Sequence, residues 1–390
     1  MRRRRNRNHD ETNSLGIVFT KLGQITLAAV LVLIVAEWAA GLAMGKIRHS
    51  RAAATPSLTE AEISRVYGAE DPAFYRGVLA DAARLGEAVY APLVEYRLPA
   101  FASPTLNVSA EGWRGNGTPQ SLDNPGPKVF VFGGSTTFGT GVADAETLPA
   151  QLGEVLKAAG KEVQVFNFGA PSYYSTQERI ALERLLTAGT RPDVAVFVDG
   201  LGDFQSCALP DRTAWSERIE QATRVAARLP LTSELAARSN LLAFGRWLIG
   251  EEPAEAPHRT AQCASDAEVD KAIRRLDTNR RMIAGMADRL GFKVLFVQQP
   301  VPTYAYDNAK RSVPVNTELL ANYLNSAKGY PRMVEMRAAG QLLADHTLWL
   351  AEAEPAQGDA YVDTIHYSPR FNRALAEAIG RHMLDSALLP

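Results

Sequence analysis

A serine, and a histidine with an aspartate three residues before it, are the residues of this chain best suited to covalent catalysis. The serine is Ser135, within the glycine-rich run Gly133–Gly139, and the histidine is His366, which follows Asp363. A serine hydroxyl becomes an effective nucleophile when an imidazole accepts its proton and an acceptor holds the other imidazole nitrogen. Among the six histidines, only His366 has an aspartate at this spacing. These are the residue types that nucleophilic catalysis uses, although Gly-Gly-Ser alone is usually only a turn and a lone Asp-x-x-His is more often a surface pair than a catalytic one.

Four short apolar runs predict the buried strands that must position these residues. The runs cover residues 128–132, 163–168, 194–198 and 293–297. Helical patterns, several with a glycine just after the last residue, lie between and after them. The predicted helices cover residues 147–159, 176–188, 265–290, 331–353 and 369–387. Strands that alternate with helices indicate right-handed βαβ units, and therefore an α/β fold with a doubly wound parallel sheet.

The loops directly after the first three predicted strands are where a ligand site is expected, because an open parallel sheet binds ligands outside the carboxyl ends of its strands. The first loop holds Ser135, the second begins at Gly169, and the third is the run Asp199–Asp203. The pair Asp363 and His366 stands near the end of the chain. Each motif alone is common, and it is their order along the chain that indicates one site.

That order resembles the SGNH (GDSL-like) hydrolase family: serine after the first strand, glycine after the second, Gly-x-x-Asp after the third and Asp-x-x-His near the chain end. The resemblance covers about residues 128–384, and residues 107–114 and 299–302 are also similar to the membrane-anchored bacterial branch of the family. It implies a flavodoxin-like, doubly wound parallel sheet of the SGNH type with helical insertions. It also implies that Ser135 is the nucleophile and His366 the general base.

The family stabilises the oxyanion of the tetrahedral intermediate with three donors. The resemblance assigns the first to the N–H of Ser135 and the second to the N–H of Gly169, whereas Gly202 stands where the family has an asparagine. Removing one such donor typically lowers the rate about 100- to 1,000-fold. The N–H of Gly202, a water molecule or a side chain from an insertion could take its place. The resemblance further assigns Asp203 and Gln299 to substrate binding.

The N-terminal region has the pattern of a membrane anchor. A basic tail over residues 1–21 contains five arginines, and an apolar stretch over residues 22–44 follows, interrupted only by Glu37. About 20 apolar residues span the roughly 30 Å core of a bilayer. Because basic flanks stay cytoplasmic, we predict a single-pass protein of the inner (cytoplasmic) membrane with its catalytic domain periplasmic or extracellular. A cleaved signal peptide is the alternative.

Glu37 has two interpretations within such an anchor. It is either an interfacial carboxylate or a contact to a partner membrane helix. The two cysteines, Cys207 and Cys263, would both lie outside the cytoplasm, where a disulfide between them is predicted and two buried free thiols are the alternative.

Beyond the anchor, residues 45–127 are predicted to form a stalk and an irregular entry segment, with helical periodicity over residues 48–98. Residues 128–390 are predicted to form the α/β domain. Two insertions interrupt it, at about residues 204–265, expected near the substrate, and at about residues 300–330.

Composition and motifs exclude several classes of function. The 42 basic and 43 acidic residues nearly balance, so nothing indicates a nucleic-acid partner. No P-loop or dinucleotide motif is present, and no cluster has metal-ligand spacing, so neither a cofactor nor a metal is expected. Three functions remain. They are hydrolysis of an O-acyl ester on an envelope or secreted glycan, O-acyl transfer by the same residues with a membrane protein partner, and a non-catalytic glycan-binding or scaffold subunit.

Overall fold

The computed structural model describes most of the chain, in two compact units. The described residues are 2–53, 58–68, 71–86, 88–205, 239–248, 263, 265–308, 311–313, 315–316, 320–321, 323–355 and 358–390. One unit comprises residues 1–57 and 218–257, and the other comprises residues 58–217 and 258–390. Residues 204–265, predicted as one insertion of the α/β domain, are therefore divided between the two units.

Helices and strands are numbered in chain order. The helices are α1 (Arg2–Ala53), α2 (Glu60–Tyr67), α3 (Pro72–Arg84), α4 (Ser135–Phe138), α5 (Leu148–Ala158), α6 (Ser175–Thr187), α7 (Asn240–Leu248), α8 (Asp266–Leu290), α9 (Leu324–Ala338) and α10 (Pro369–Asp385). The strands are β1 (Val89–Ala91), β2 (Glu95–Arg97), β3 (Phe101–Ala102), β4 (Asn107–Val108), β5 (Lys128–Gly133), β6 (Gln164–Gly169), β7 (Val194–Asp199), β8 (Lys293–Gln298) and β9 (Thr347–Trp349). Short 3₁₀ turns cover Asp144–Glu146 and Gly202–Phe204.

The first unit consists of the long helix α1 and the short helix α7, which packs against it. Within α1, the segment Thr20–Lys46 has 27 residues, and its most apolar window of 18 residues has a mean hydropathy of 2.2. It is the one helix of the described chain that is long and apolar enough to cross a membrane, and it contains the predicted span 22–44.

The second unit is built on a sheet of five parallel strands in the order β6-β5-β7-β8-β9. This is the flavodoxin-like order, and it confirms the predicted fold class. The four predicted strands are β5, β6, β7 and β8. The predicted helix over residues 331–353 was wrong at its end, because α9 stops at Ala338 and β9 follows at the sheet edge. β9 has only three residues, all half-buried, and this is too short a run for the alternation of a strand to be recognised in the sequence.

The segment before the sheet is only partly helical. Thr59 caps α2 with a capping box and Asp71 caps α3, as the sequence predicts. The predicted helical periodicity over residues 48–98 fails at residues 89–97, where β1 and β2 form an antiparallel hairpin. Pro92 follows β1 directly, and its missing N–H and fixed φ favour a turn over a continuing helix.

Side-chain alternation along β5 builds a core on both faces of the sheet. Val129 and Val131 pack in the cluster that contains residues of α5 and α10, and Phe130 and Phe132 pack in the cluster that contains residues of α6 and α8. All four side chains are fully buried. A strand covered on both faces reads as one continuous apolar run, which is why the sequence predicts it well. The rigid strand fixes the loop that begins at its carboxyl end.

Candidate active site

Ser135 lies at a sharp turn between β5 and α4. A Cβ at Gly133 would lie 2.1 Å from Thr137 Oγ1 and 3.0 Å from Val198 O, so only glycine fits this close approach. Ser135 is the first residue of α4, and a first-turn N–H has no partner within its own helix. The turn therefore leaves both the hydroxyl and the N–H of Ser135 available to a substrate.

A fully buried arginine, Arg114, holds the loop that follows α4. Its Nη1 donates to Phe138 O at 2.9 Å, its Nη2 donates to Val142 O at 2.6 Å, and its Nε donates to Asp144 Oδ1 at 2.9 Å. Asn107 Nδ2 donates to the second oxygen of the same carboxylate at 2.8 Å. Buried charges are tolerated where partners satisfy them, as here. This network fixes the backbone directly after the nucleophile helix.

His366 and Asp363 form the predicted pair. His366 Nδ1 lies 2.6 Å from Asp363 Oδ2, and Asp363 Oδ1 accepts the backbone N–H groups of Ile365 and His366 at 2.9 and 2.8 Å. Burial opposes ionisation of this carboxyl, but the imidazole and these N–H groups outweigh burial and hold the pKa of Asp363 below its ordinary value. An ionised Asp363 fixes the ring and leaves Nε2 available, as a general base requires.

The residues that follow the serine and the histidine attach their two loops to the loop after β8. Thr136 Oγ1 donates to Gln299 Oε1 at 3.0 Å, and Tyr367 OH donates to Pro300 O at 2.6 Å. No hydrogen bond joins the nucleophile hydroxyl to the histidine ring among the described contacts. Catalytic hydrogen bonds are often long in the absence of substrate, and the shared network holds the two loops side by side.

A cleft of about 320 Å³, with the solvent at its mouth included, lies beside the nucleophile. Four predicted site residues line it, Ser135, Gly202, Asp203 and Gln299. His366 is not part of its lining. The cleft opens at the carboxyl ends of β5, β7 and β8, which is where the topology of a doubly wound sheet predicts a ligand site.

Tyr323 connects this cleft to the catalytic pair. It lines the cleft and is 8% exposed. Burial, followed by the negative charge of Asp363, raises the pKa of Tyr323 to about 12. Asp363 therefore acts electrostatically on this part of the wall.

Gly169, predicted as an oxyanion donor, is not among the residues that line the cleft. It ends β6, and its N–H already donates to Asn167 Oδ1 at 2.9 Å. Ser172 lines the cleft instead, with a φ of 62° that residues other than glycine rarely adopt. Such outliers concentrate at functional sites. The place of Ser172 in the cleft could not be predicted from the sequence, because a left-handed backbone conformation is normally expected at glycine.

Gly202 cannot carry a side chain without a backbone shift, because a Cβ there would lie 2.2 Å from Tyr173 O. It begins the 3₁₀ turn that Gln205 closes, and the N–H of Gln205 donates to Gly202 O at 3.1 Å. Side chains three residues apart in a 3₁₀ turn eclipse one another. Gln205 also lines the cleft. This residue, too, was missed from the sequence.

Three buried carboxyl groups, Glu178, Asp199 and Asp203, form one wall of the cleft. Burial, followed by the charge of Asp199, raises the pKa of Glu178 well above its ordinary value. Asp199 pairs with Arg280, whose Nε lies 3.2 Å from Oδ2. Burial and then Asp199 raise the pKa of Asp203 to about 6.

Asp203 presents one unsatisfied acceptor at this wall. Its Oδ1 accepts from Ser175 Oγ at 2.5 Å, whereas its buried Oδ2 has no partner among the described residues. A buried acceptor without a partner is costly, so a hydroxyl or another donor of a bound molecule would be stabilised there.

The predicted disulfide stays a prediction, because Cys207 lies outside the described residues. Cys263 is 3% exposed and packs in an apolar cluster with Leu201 and Phe204. Its N–H donates to Asn325 Oδ1 at 2.9 Å.

No family model matches the chain, and no curated protein matches it. Among solved structures, a carbohydrate acetylesterase from Sinorhizobium meliloti is 12% identical and aligns over 67% of this chain and 100% of its own, with a TM-score of 0.33. A GDSL-like lipase from Bacteroides thetaiotaomicron is 13% identical over 67% and 89%, with a TM-score of 0.33. A lipase/acylhydrolase from Enterococcus faecalis is 19% identical over 67% and 96%, with a TM-score of 0.31. Function is therefore inferred from the geometry of the site.

Proposed function

We propose that this chain is a serine-dependent acyl ester hydrolase of the SGNH type, which removes O-acetyl groups from an envelope or secreted glycan. The observation that carries the proposal is the pair Asp363 and His366, with Oδ2 and Nδ1 2.6 Å apart. Their loop and the Ser135 turn are both hydrogen-bonded to the loop after β8, through Tyr367 and Thr136. Nucleophile, base and orienting carboxylate are the three groups that acyl transfer from an ester requires.

In the proposed reaction, Ser135 Oγ attacks the acyl carbonyl carbon while His366 Nε2 accepts the hydroxyl proton. The tetrahedral intermediate then collapses, the bond to the sugar oxygen breaks, and that oxygen takes the proton from His366. Water then attacks the acyl-serine while His366 accepts its proton. The bond from the acyl carbon to Ser135 Oγ breaks, and His366 returns the proton to Ser135 Oγ as the acid leaves. Asp363 stays ionised and stabilises the imidazolium, which its lowered pKa favours.

The oxyanion of this intermediate needs donors within the cleft. We assign them to the N–H groups of Ser135 and Gly202 and to the side-chain amide of Gln205, in place of the donor set that includes Gly169. All three lie on the cleft lining, and Gln205 stands one 3₁₀ turn after Gly202. Donors already aligned before the reaction stabilise developing charge without reorganisation.

The assignment of a glycan substrate is supported by Asp203 and Gln299. Asp203 Oδ2 offers an acceptor, and Gln299, whose Oε1 is occupied by Thr136, retains its amide NH₂ as a donor. Sugar hydroxyl groups both donate and accept hydrogen bonds, so this combination suits a polyhydroxylated molecule.

The proposed location is the inner (cytoplasmic) membrane. The apolar segment Thr20–Lys46 and the arginines before it support an uncleaved single-pass anchor with a cytoplasmic N-terminus. The α/β unit would then act in the periplasm or outside the cell, where envelope and secreted glycans are found.

The experiment is hydrolysis of a short aryl acetate by the full chain in mild detergent. Wild type is compared with Ser135→Ala and with Ser386→Ala, a matched control at the exposed end of α10. We expect turnover in wild type and the control and none in Ser135→Ala. Wild-type turnover in Ser135→Ala would contradict the proposal.

A covalent organophosphorus probe separates the two alternatives. Labelling that requires Ser135, without hydrolysis of any ester tested, would indicate an acyltransferase that needs its acceptor or its membrane partner. Failure of wild type to label would indicate a non-catalytic binding subunit.

A further inference from the structure

Glu37 is the single acidic residue of the apolar segment Thr20–Lys46 and lies in its second half. A carboxylate within the apolar part of a bilayer is costly unless other groups of the protein satisfy it. Its hydrogen-bond partners therefore indicate what must accompany the anchor into the membrane.

Those partners are Ser239, which directly precedes α7, and the first two residues of α7. Ser239 Oγ donates to Glu37 Oε2 at 2.8 Å, the N–H of Leu241 donates to the same oxygen at 3.1 Å, and the N–H of Asn240 donates to Oε1. The first N–H groups of a helix have no partners within the helix, and they favour a negative charge. The Glu37 carboxylate and the N–H groups at the start of α7 therefore satisfy each other's hydrogen-bonding capacity.

Small residues let the two helices approach closely. Ala40 is 4% exposed, and a Cβ at Gly41 would lie 3.3 Å from Asn240 Nδ2 and 4.0 Å from Asn240 Cβ. Trp38 and Leu42 are 70% and 53% exposed. Close contact through small residues is typical of helix pairs in membranes. The first turn of α7 thus lies beside the apolar segment and not beyond its end.

We propose that α7 is a second membrane-embedded helix, formed where the chain returns to the bilayer and docks on the anchor through Glu37. The proposal rests on the proposed anchoring of α1. The sequence of α7, Asn-Leu-Leu-Ala-Phe-Gly-Arg-Trp-Leu, is predominantly apolar, and Leu242 and Leu248 are 46% and 63% exposed. Because lipid surrounds an anchor at this depth, the occupant of that exposed apolar face is the acyl-chain region of the bilayer.

Cysteine accessibility tests the lipid contact. Leu242→Cys is made in the full chain, and opened membrane vesicles are treated with a water-soluble maleimide, with labelling at that site read by peptide mass spectrometry. We expect no labelling in membranes and full labelling after denaturation. Ser386→Cys, on the exposed end of α10, is the control and should label under both conditions. Rapid labelling of Leu242→Cys in membranes would overturn the proposal.

Disulfide formation tests the packing of α7 on α1. The 4.0 Å between the two Cβ positions falls within the roughly 3.5–4.5 Å of disulfides, so Gly41→Cys with Asn240→Cys should form an intramolecular bridge. Gly45→Cys with Asn240→Cys is the matched control, because nothing lies within 4 Å of a Cβ at Gly45. Equal yields for the two pairs, or a bridge between two chains, would overturn the proposed packing.

Glu37→Leu and Trp38→Leu separate the docking contact from general effects on the helix. Glu37→Leu should expose Leu242→Cys to the maleimide, whereas Trp38→Leu should leave it protected. Equal protection in both variants would overturn the role of Glu37. Carbonate extraction checks the anchor itself, and release of the wild-type chain by carbonate would also overturn the proposal. None of these readouts needs esterase activity, so failure of the proposed reaction would leave this test intact.

Discussion

Gly202 stands where the resemblance places an asparagine, and Tyr173 explains why an asparagine would not fit. With a Cβ only 2.2 Å from Tyr173 O, Gly202→Asn should disturb the cleft and should not restore a donor. A glutamine, Gln205, stands one 3₁₀ turn later and lines the same cleft. We therefore propose that its side-chain amide takes the place of the missing asparagine.

The first prediction is that Gln205→Ala lowers kcat for an aryl acetate about 100- to 1,000-fold, the range typical for loss of one oxyanion donor. KM should change little, because the amide acts on charge that develops in the transition state. Steady-state kinetics provide both constants. Gln341→Ala, at an exposed position after α9, is the control. A Gln205→Ala variant with wild-type kcat would place the donor elsewhere.

The second prediction concerns pH. Burial and Asp199 raise the pKa of Asp203 to about 6, above its value in the unfolded chain. The folded state then binds more protons than the unfolded state, so stability falls as pH rises from about 4 to about 6. Asp203→Asn, which keeps an acceptor for Ser175, should flatten that slope in melting temperature against pH.

Glu178 and Arg275 also affect the slope of melting temperature against pH. The pKa of Glu178 is raised as well, and Arg275 lowers that of Asp203, so the comparison is between variant and wild type at each pH. A slope that is unchanged in Asp203→Asn would assign the pH dependence to the other groups of this wall.

At the scale of elements, the nucleophile turn depends on a segment far from it in the sequence. β4 and the residues after it carry Asn107 and Arg114, which reach the loop behind α4 and its carboxylate, Asp144. A six-residue buried strand and a four-residue helix alone would leave that loop unsupported. The entry segment is thus part of the site, as a positioning element.

The third prediction is that Arg114→Met destabilises the α/β unit by about 3–5 kcal/mol, because it leaves Asp144 buried without its counter-charge. Denaturant unfolding measures the change. Arg373→Met is the control: its pair with Glu377 is about half exposed, and such helix pairs contribute only about 0.3–0.5 kcal/mol. Equal effects of the two substitutions would contradict the proposed clamp.

At the scale of the whole molecule, the described helix α7 packs on α1 and shares its compact unit, although residues of the α/β unit stand on both sides of α7 in the sequence. A soluble fragment designed from the sequence alone would retain α7 and remove the helix that covers it.

The fourth prediction is that removing residues 1–57 alone produces a fragment that self-associates, because α7 loses both its apolar contact and the acceptor at Glu37. Replacing residues 218–257 with a short Gly-Ser linker in the same fragment should give a monodisperse monomer. Size-exclusion chromatography with light scattering distinguishes the two. Monomers in both cases would contradict the dependence of α7 on α1.

The sequence by itself determined the fold class, the four central strands, the apolar N-terminal helix and the order of Ser135, Asp363 and His366. These features are local: a strand buried on both faces is an unbroken apolar run, and a histidine with its carboxylate needs only three residues of chain. The pairing at 2.6 Å follows directly from that spacing.

Only the tertiary structure decided the use of the Gly169 N–H, the presence of Ser172 and Gln205 in the cleft, and the docking of α7 on Glu37. Each depends on a contact between backbones, or between segments far apart in the chain, and Glu37 and Leu241 are 204 residues apart. Local patterns carry no record of such contacts, because any residue of suitable size and polarity can make them once the fold has brought the two segments together.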